Sequence, residues 1–371
     1  QSNVAPCLFW FRHDDEWESG RYAGSWQGYG GLHVDDMRGR ATRRKVRELM
    51  EVLEGRGYMV KLQIIEQGEV FESIGERFEE TKDGVLGDQL QYADQKLTEV
   101  PLAEGRWKQR TTECSEEERQ AFASTQGQLS WVTQRTKPCL AYEASVAASK
   151  KNAPTIADVV RINKAVRMLK TRPENRYKVF VPKLKEAAEL GWRVVQVPDA
   201  GEGELKSEDW TKSQGGRIIG LMAKAPVGTP GMMAVVDVST RKIKRTTHSS
   251  FDAETVNAID ATDVSLGVVE LVNEWQYGMR MGKAAALEHW QEGQRWPEEE
   301  LRRETPLETH TDADDLVAVV EQLRVKAGMS RRRRLDVADL REMRQRGEMR
   351  RLLHVSGKGI HAGALTKPRG Q

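Results

Sequence analysis

Cysteine is scarce in this 371-residue chain: Cys7, Cys114 and Cys139 stand far apart, with no CxxC pair and no Cys/His cluster of zinc spacing. That excludes a disulfide scaffold and points to a reduced, intracellular setting. Also absent is any apolar run near the roughly 18 residues that a membrane helix needs, so no membrane partner is expected. The first residues, QSNVAPCLFWFRHDD, hold no basic stretch leading into a long apolar one, as a secretory signal would. They lack an initiator Met and open on strand-like residues, so a cut inside a longer protein is expected. A large charge imbalance is missing too. Lys and Arg number 58 against 56 Asp and Glu, a net charge of +2, which excludes a uniformly basic nucleic-acid coat.

What is present fits modest cores under wide polar surfaces: 38% hydrophobic and 31% charged residues, with a mean hydropathy of −0.64. The length predicts two or three domains. Basic charge concentrates near the end, where Arg331, Arg332, Arg333 and Arg334 are joined by Lys326, Arg341, Arg344, Arg346, Arg350 and Arg351.

Along the chain, Tyr22 to Val34 reads as strands running into Asp35 and Asp36. Val46, Leu49, Met50 and Leu53 recur with helical spacing, and Gly55 and Gly57 stop that helix. FESIGERFEETKDGVLG predicts a hairpin turning at Asp83-Gly84. Ser115 and Glu118 have capping-box spacing ahead of a helical stretch that reaches about Lys170, with further starts at Pro138 and Thr155. The residues around Arg172-Pro173-Glu174 read as a linker. Beyond it, WRVVQVPDA, GGRIIGLMAKA and MMAVVDVST predict three strands, followed by a long helix from Phe251 to Trp275. LETHTD and RRLLHV add strands, DLVAVVEQLRVKAG and LDVADLREMRQRG add helices, and a short helix ends the chain. That order predicts an α/β fold around one mixed sheet. Residues 291–304 read as an insertion or solvated connection.

Two groups of acids could carry chemistry. Asp35 and Asp36 are adjacent like charges after the apolar strand GGLHV. On its own the dipeptide reads as a solvated turn. The alternative is a metal-holding pair of the kind that activates a primer 3′-oxygen and steadies a leaving pyrophosphate. Asp199 closes the strand WRVVQVPDA, Glu254 lies in the first turn of a helix, and Asp312 closes the strand LETHTD. Singly, each is most simply a surface acid. Strand ends and a helix start on one sheet edge can also converge, and three carboxylates could then hold two Mg²⁺ ions about 4 Å apart for phosphodiester hydrolysis.

The wider context resembles the copia-type retrotransposon Pol polyprotein. PCLFWFRHDD followed by GGLHVDDM resembles its reverse transcriptase, in which a Pro-Cys-Leu-Phe strand leads to a Val-Asp-Asp hairpin; His33 stands where many relatives have Tyr. FESIGERF resembles the family's primer-grip turn, with Gly75 at its glycine. Gly127, Leu129, Trp131, Arg135, Thr136, Pro138, Leu140 and Ala141 match the segment that closes the polymerase region, while Cys139 replaces the usual Asp. PDAG at 198–201, SQGG at 213–216, SFDAET at 250–255, TDADDL at 311–316 and AGALTK at 362–367 follow the order of motifs in the family's RNase H domain.

The resemblance implies a partial palm over 1–100, a helical thumb or connection over 101–175 and an RNase H-like α/β domain over 176–371. It implies Asp35 and Asp36 as polymerase metal ligands, and Asp199, Glu254 and Asp312 as hydrolytic ones, with Mg²⁺ or Mn²⁺. It further implies an RNA–DNA hybrid, an RNA template and a DNA primer as partners, contacted by Gly75 and the Arg331–Arg334 run, with the rest of the polyprotein upstream. The setting would be a cytoplasmic particle or the nucleus. Three departures stand out: Gly363 replaces a fourth acid, Pro198 replaces Ser, and the third strand of the RNase H part lacks its Trp. The family's first palm Asp would lie ahead of residue 1, so this chain is expected not to polymerise DNA unaided. A catalytically dead copy that still binds nucleic acid is the rival expectation.

Overall fold

The computed structural model describes residues 5, 7–12, 26–33, 36–66, 68–171, 179–201, 213–277, 305–322, 329–357 and 361–366. They fall into two units, one of Gln1–Ile64 with Val264–Pro306 and one of Ile65–Asp263 with Leu307–Gln371.

In the first unit, β1 (Leu8–Arg12), β2 (Trp26–His33) and β3 (Asp36–Ala41) form an antiparallel sheet in chain order. Its last β2–β3 pair sets His33 opposite Asp36. Asp35 lies outside the described residues, and Asp36 enters as the first backbone position of β3. Helix α1 (Arg43–Gly55) starts at Thr42, whose hydroxyl accepts from Lys45 N, and ends ahead of Gly57 at φ +81°.

The second unit begins with β4 (Val70–Ser73), β5 (Glu76–Glu80) and β6 (Gly84–Asp88), joined by β7 (Val179–Pro182) in the order β4-β5-β6-β7. The single hairpin expected here is therefore a meander, because Ile74-Gly75 turns the chain as well as Asp83-Gly84. Both Ile74 (φ +49°) and Gly75 (φ +69°) are left-handed, as a two-residue hairpin turn with matching twist requires. Gly75 adopts this freely, whereas the β-branched Ile74 resists it. Ile74 is 39% exposed and has little burial to lose. Ile74→Asn is thus expected to stabilise the protein by about 1 kcal/mol, read as a higher urea midpoint at unchanged slope.

After α2 (Leu90–Gln95) comes α3 (Glu116–Arg135), opened by the expected capping box: Ser115 accepts from Glu118 N, and Glu118 answers to Ser115 N at 2.8 Å. Helices α4 (Ala141–Ser149) and α5 (Ile156–Thr171) follow. Phe122, Leu129, Val132, Leu140, Val159 and Ile162 make their common core.

After β7 and the short α6 (Ala187–Leu190), strands β8 (Trp192–Gly201), β9 (Gln214–Ala223) and β10 (Ala234–Lys242) run antiparallel. Helix α7 (Ser250–Tyr277) then leads on towards β11 (Leu307–Thr311), α8 (Asp314–Glu321), α9 (Arg331–Gln345), β12 (Arg351–His354) and a 3₁₀ turn, His361–Leu365. The strand order is β10-β9-β8-β11-β12, with β11 parallel to both β8 and β12. This is one mixed five-stranded sheet in an α/β order, as the sequence predicts. Leu316, Val319, Val337, Leu340 and Met343 of α8 and α9 pack with Phe251 and Ala258 of α7. No described helix is long and apolar enough to cross a membrane.

Candidate metal centre

Three elements of the sheet edge deliver the acids. Asp199 sits near the end of β8, Glu254 in the first turn of α7, and Asp312 just past β11. One carboxylate oxygen from each lies within 4.8 Å of the other two. Asp199 and Glu254 are buried, at 3% and 8% exposure, and Asp312 is half-buried. Among the described residues this is the one such cluster. Hard oxygen donors at this spacing fit a divalent cation such as Mg²⁺ or Mn²⁺, which prefer carboxylates and retained waters.

The positions are held by backbone and amide bonds. Glu254 Oε1 accepts from Ala200 N at 3.0 Å, tying α7 to β8 beside Asp199. One turn on, Asn257 Nδ2 donates to Asp199 O and to Gly216 O, both at 2.8 Å, which clamps the helix across two strands. A Cβ at Gly215 would come within 2.4 Å of Asn257 Oδ1, so the SQGG motif needs glycine there to let α7 approach. Gln214 Nε2 donates to Ser145 Oγ (2.9 Å) and Thr240 Oγ1 (2.7 Å), joining β9 to α4 and β10.

Ser249 Oγ accepts from Asp252 N at 3.2 Å at the start of α7. Asp252 in turn binds Arg333 Nε at 2.8 Å, and Arg333 Nη1 reaches Asp336 at 2.7 Å. Arg333 is only 5% exposed. Its expected place among the nucleic-acid contacts therefore needs correcting: its guanidinium is committed to two carboxylates and anchors the turn that carries Glu254. Arg331, Arg332 and Arg334 are exposed, as is Leu335. Gly75 lies at the β4–β5 turn, where an added Cβ would meet Trp131 and Tyr92 at 3.9 Å. It stands apart from the acid cluster in the β4–β7 sheet.

Gly363 lies in the 3₁₀ turn beside the cluster, and a Cβ there would sit 4.0 Å from Asp199 Oδ2, an ordinary contact distance. The sequence expectation of a missing acid thus falls at a place where a Cβ meets no clash. Asn257 and Thr366 were not singled out as site residues from sequence, and Arg333 was expected as a nucleic-acid contact, not as a support of the centre. SFDAET, AGALTK and the arginine run flanked or contained them, but nothing in residue type marked them as supports.

No protein-family model matches the chain. No curated protein matches it either. Three of the solved structures similar to it are these. LC11-RNase H1 in complex with an RNA/DNA hybrid is 11% identical, over 47% of this chain and 93% of that one, with a TM-score of 0.27. RNase H1 from the halophilic archaeon Halobacterium salinarum NRC-1 is 14% identical over 47% and 93%, with a TM-score of 0.25. LC11-RNase H1 isolated from compost by a metagenomic approach is 12% identical over 47% and 91%, with a TM-score of 0.28. The α/β fold rests on the strand order and the connections between strands.

Proposed function

We propose that this chain is a ribonuclease H that hydrolyses the RNA strand of RNA–DNA hybrids, within a fragment of a copia-type retrotransposon Pol polyprotein. The observation that carries the hydrolase reading is the convergence of Asp199, Glu254 and Asp312 from three separate elements to within 4.8 Å. Such clustered like charges, two of them buried, repel, and a divalent cation would relieve that repulsion. Asp199, Glu254 and Asp312 would hold Mg²⁺ or Mn²⁺, which when bound supplies positive charge to ready a water and to steady the leaving oxygen. The side chains would fix the direction of attack, and the Glu254–Ala200 and Asn257 clamps would keep that geometry as the hybrid binds.

On α9, Arg331, Arg332 and Arg334 would meet phosphates, giving affinity that falls with salt and ignores sequence. Contacts to 2′-hydroxyls and hybrid shape would distinguish RNA from DNA. Within this reading, residues 1–100 are the remnant of a polymerase palm carrying Asp35 and Asp36, residues 101–175 the connection, and residues 176–371 the hydrolase. Gly75 would then touch the primer strand. The experiment is cleavage of an end-labelled hybrid by the purified chain in Mg²⁺ and in Mn²⁺, beside Glu254→Gln.

Gly363 favours a second reading, in which the centre no longer cuts and the chain only binds hybrids. Gly363→Asp separates the two. A fourth carboxylate beside Asp199 is expected to raise cutting about tenfold or more in Mg²⁺ and to lower the melting temperature in EDTA through added repulsion. Hybrid binding without cutting by either form would instead support the binder.

A further inference from the structure

The 3₁₀ turn His361–Leu365 reaches the acid cluster through a notch in the sheet. A Cβ on Gly201 would lie 2.6 Å from Thr366 O, and one on Gly216 would lie 2.7 Å from Leu365 Cβ and 3.0 Å from Thr366 Cγ2. Side chains at either position would push the turn away. It seats instead with Ala362 and Leu365 buried together with Ala141 against Val197, Ile218 and Val238. Thr240 Oγ1 donates to Leu365 O at 2.5 Å and pins the backbone.

Seated in this way, Thr366 is 2% exposed. Its hydroxyl donates to Asp199 Oδ2 and lies 3.2 Å from Gly363 O. Packing alone does not ask for a hydroxyl here, because valine has the same shape and would cost nothing to desolvate. A buried hydroxyl on a buried carboxylate does more than fill space, since it restricts the rotation of the acid it touches.

We propose that Thr366 is a positioning residue for the metal centre, holding the Asp199 carboxylate in the orientation in which it meets Glu254 and Asp312. This rests on the reading that the three acids hold a divalent cation. Thr366 acts through Asp199 and need not touch cation or substrate. Partners of this kind, behind a metal ligand, commonly change metal affinity by about 10–100-fold. Docking of the terminal turn and assembly of the centre then become one event, with Gly201 and Gly216 as the sites that permit it.

The test is Mn²⁺ titration of the full chain followed by electron paramagnetic resonance, with thermal unfolding in EDTA alongside. Thr366→Val is expected to weaken Mn²⁺ binding about tenfold or more, while Thr366→Ser stays within about twofold of the parent chain. Thr366→Ala, which removes the hydroxyl without crowding the seat, replaces Thr366→Val if that variant unfolds below the titration temperature. Wild-type affinity in the folded valine or alanine variant overturns the proposal and leaves the cation reading intact. A serine variant as weak as the valine one also overturns it, because the shape of the seat and not the hydroxyl would then matter. Failure of the parent chain itself to bind Mn²⁺ overturns both.

Discussion

Glu254→Gln is expected to slow hybrid cleavage about a thousandfold or more while leaving hybrid binding within a few-fold of the parent chain. The substitution keeps the volume and an oxygen able to accept from Ala200 N, the 3.0 Å bond that seats the side chain. What it removes is one of three clustered negative charges. A cation held by two carboxylates and an amide would be bound more weakly and would be less well placed to steady charge on the leaving oxygen. Losing about 4 kcal/mol of that stabilisation corresponds to roughly a thousandfold in rate. Binding to the hybrid should survive, because Arg331, Arg332 and Arg334 project from α9 and not from the acid cluster. High Mn²⁺ should recover part of the lost rate by mass action. Single-turnover cleavage and a salt-dependent binding titration on the same preparation separate the two effects. A Glu254→Gln protein that cuts at the parent rate would sink the three-acid hydrolase.

Sequence pattern placed Asp199 and Asp312 at strand ends and Glu254 just inside a helix start, but singly each read as a surface acid. It was the resemblance of the motifs around them that singled them out as a group. Their order along the chain, three strands, a helix and a further strand, matched the sheet that brings them together. Local pattern also marked the capping box at Ser115, since both of its partners lie within four residues. The supports were not legible. Asn257 reads as one more polar residue of an α7 turn, yet its amide bridges two strands that lie some 40 and 60 residues earlier. Arg333 reads as the third of four equal arginines. Only the helical rotation of α9 turns it inward to Asp252 while its neighbours face outward. The Ile74-Gly75 turn was named only through the resemblance, because isoleucine normally argues for a strand; here the register of β4 on β5 overrides that preference.

Glu308→Gln is expected to destabilise the protein by about 3–5 kcal/mol, more than removal of any exposed charge. Glu308 and its partner Arg193 are 0% and 1% exposed, with Arg193 Nη1 3.0 Å from Glu308 Oε2. Arg193 Nη2 also donates to Thr229 O at 2.5 Å, and His310 Nε2 lies 3.5 Å from the same carboxylate. Glutamine keeps the shape of Glu308 but leaves a guanidinium buried among neutral groups. The cost comes from that uncompensated charge, so removing both charges should be far milder. Arg193→Met with Glu308→Leu is expected to stay near the parent stability, and a double variant as unstable as Glu308→Gln would show that packing, not charge, is at stake. The pH dependence follows from the same contacts. Burial pushes the Glu308 carboxyl up, but the nearby His310 imidazole together with the charge and hydrogen bond of Arg193 outweighs it and holds the group below the ordinary glutamate value. A depressed folded-state value means that the stabilisation is fully present above about pH 4.3, the unfolded value, and is lost as pH falls through the lower folded one. Urea midpoints taken from pH 7 down to about pH 3 should therefore drop more steeply for the parent chain than for the double variant. Because Arg193 lies at the start of β8 and Asp199 near its end, the double variant should keep Mn²⁺ affinity unchanged, which separates stability of the sheet from assembly of the metal centre.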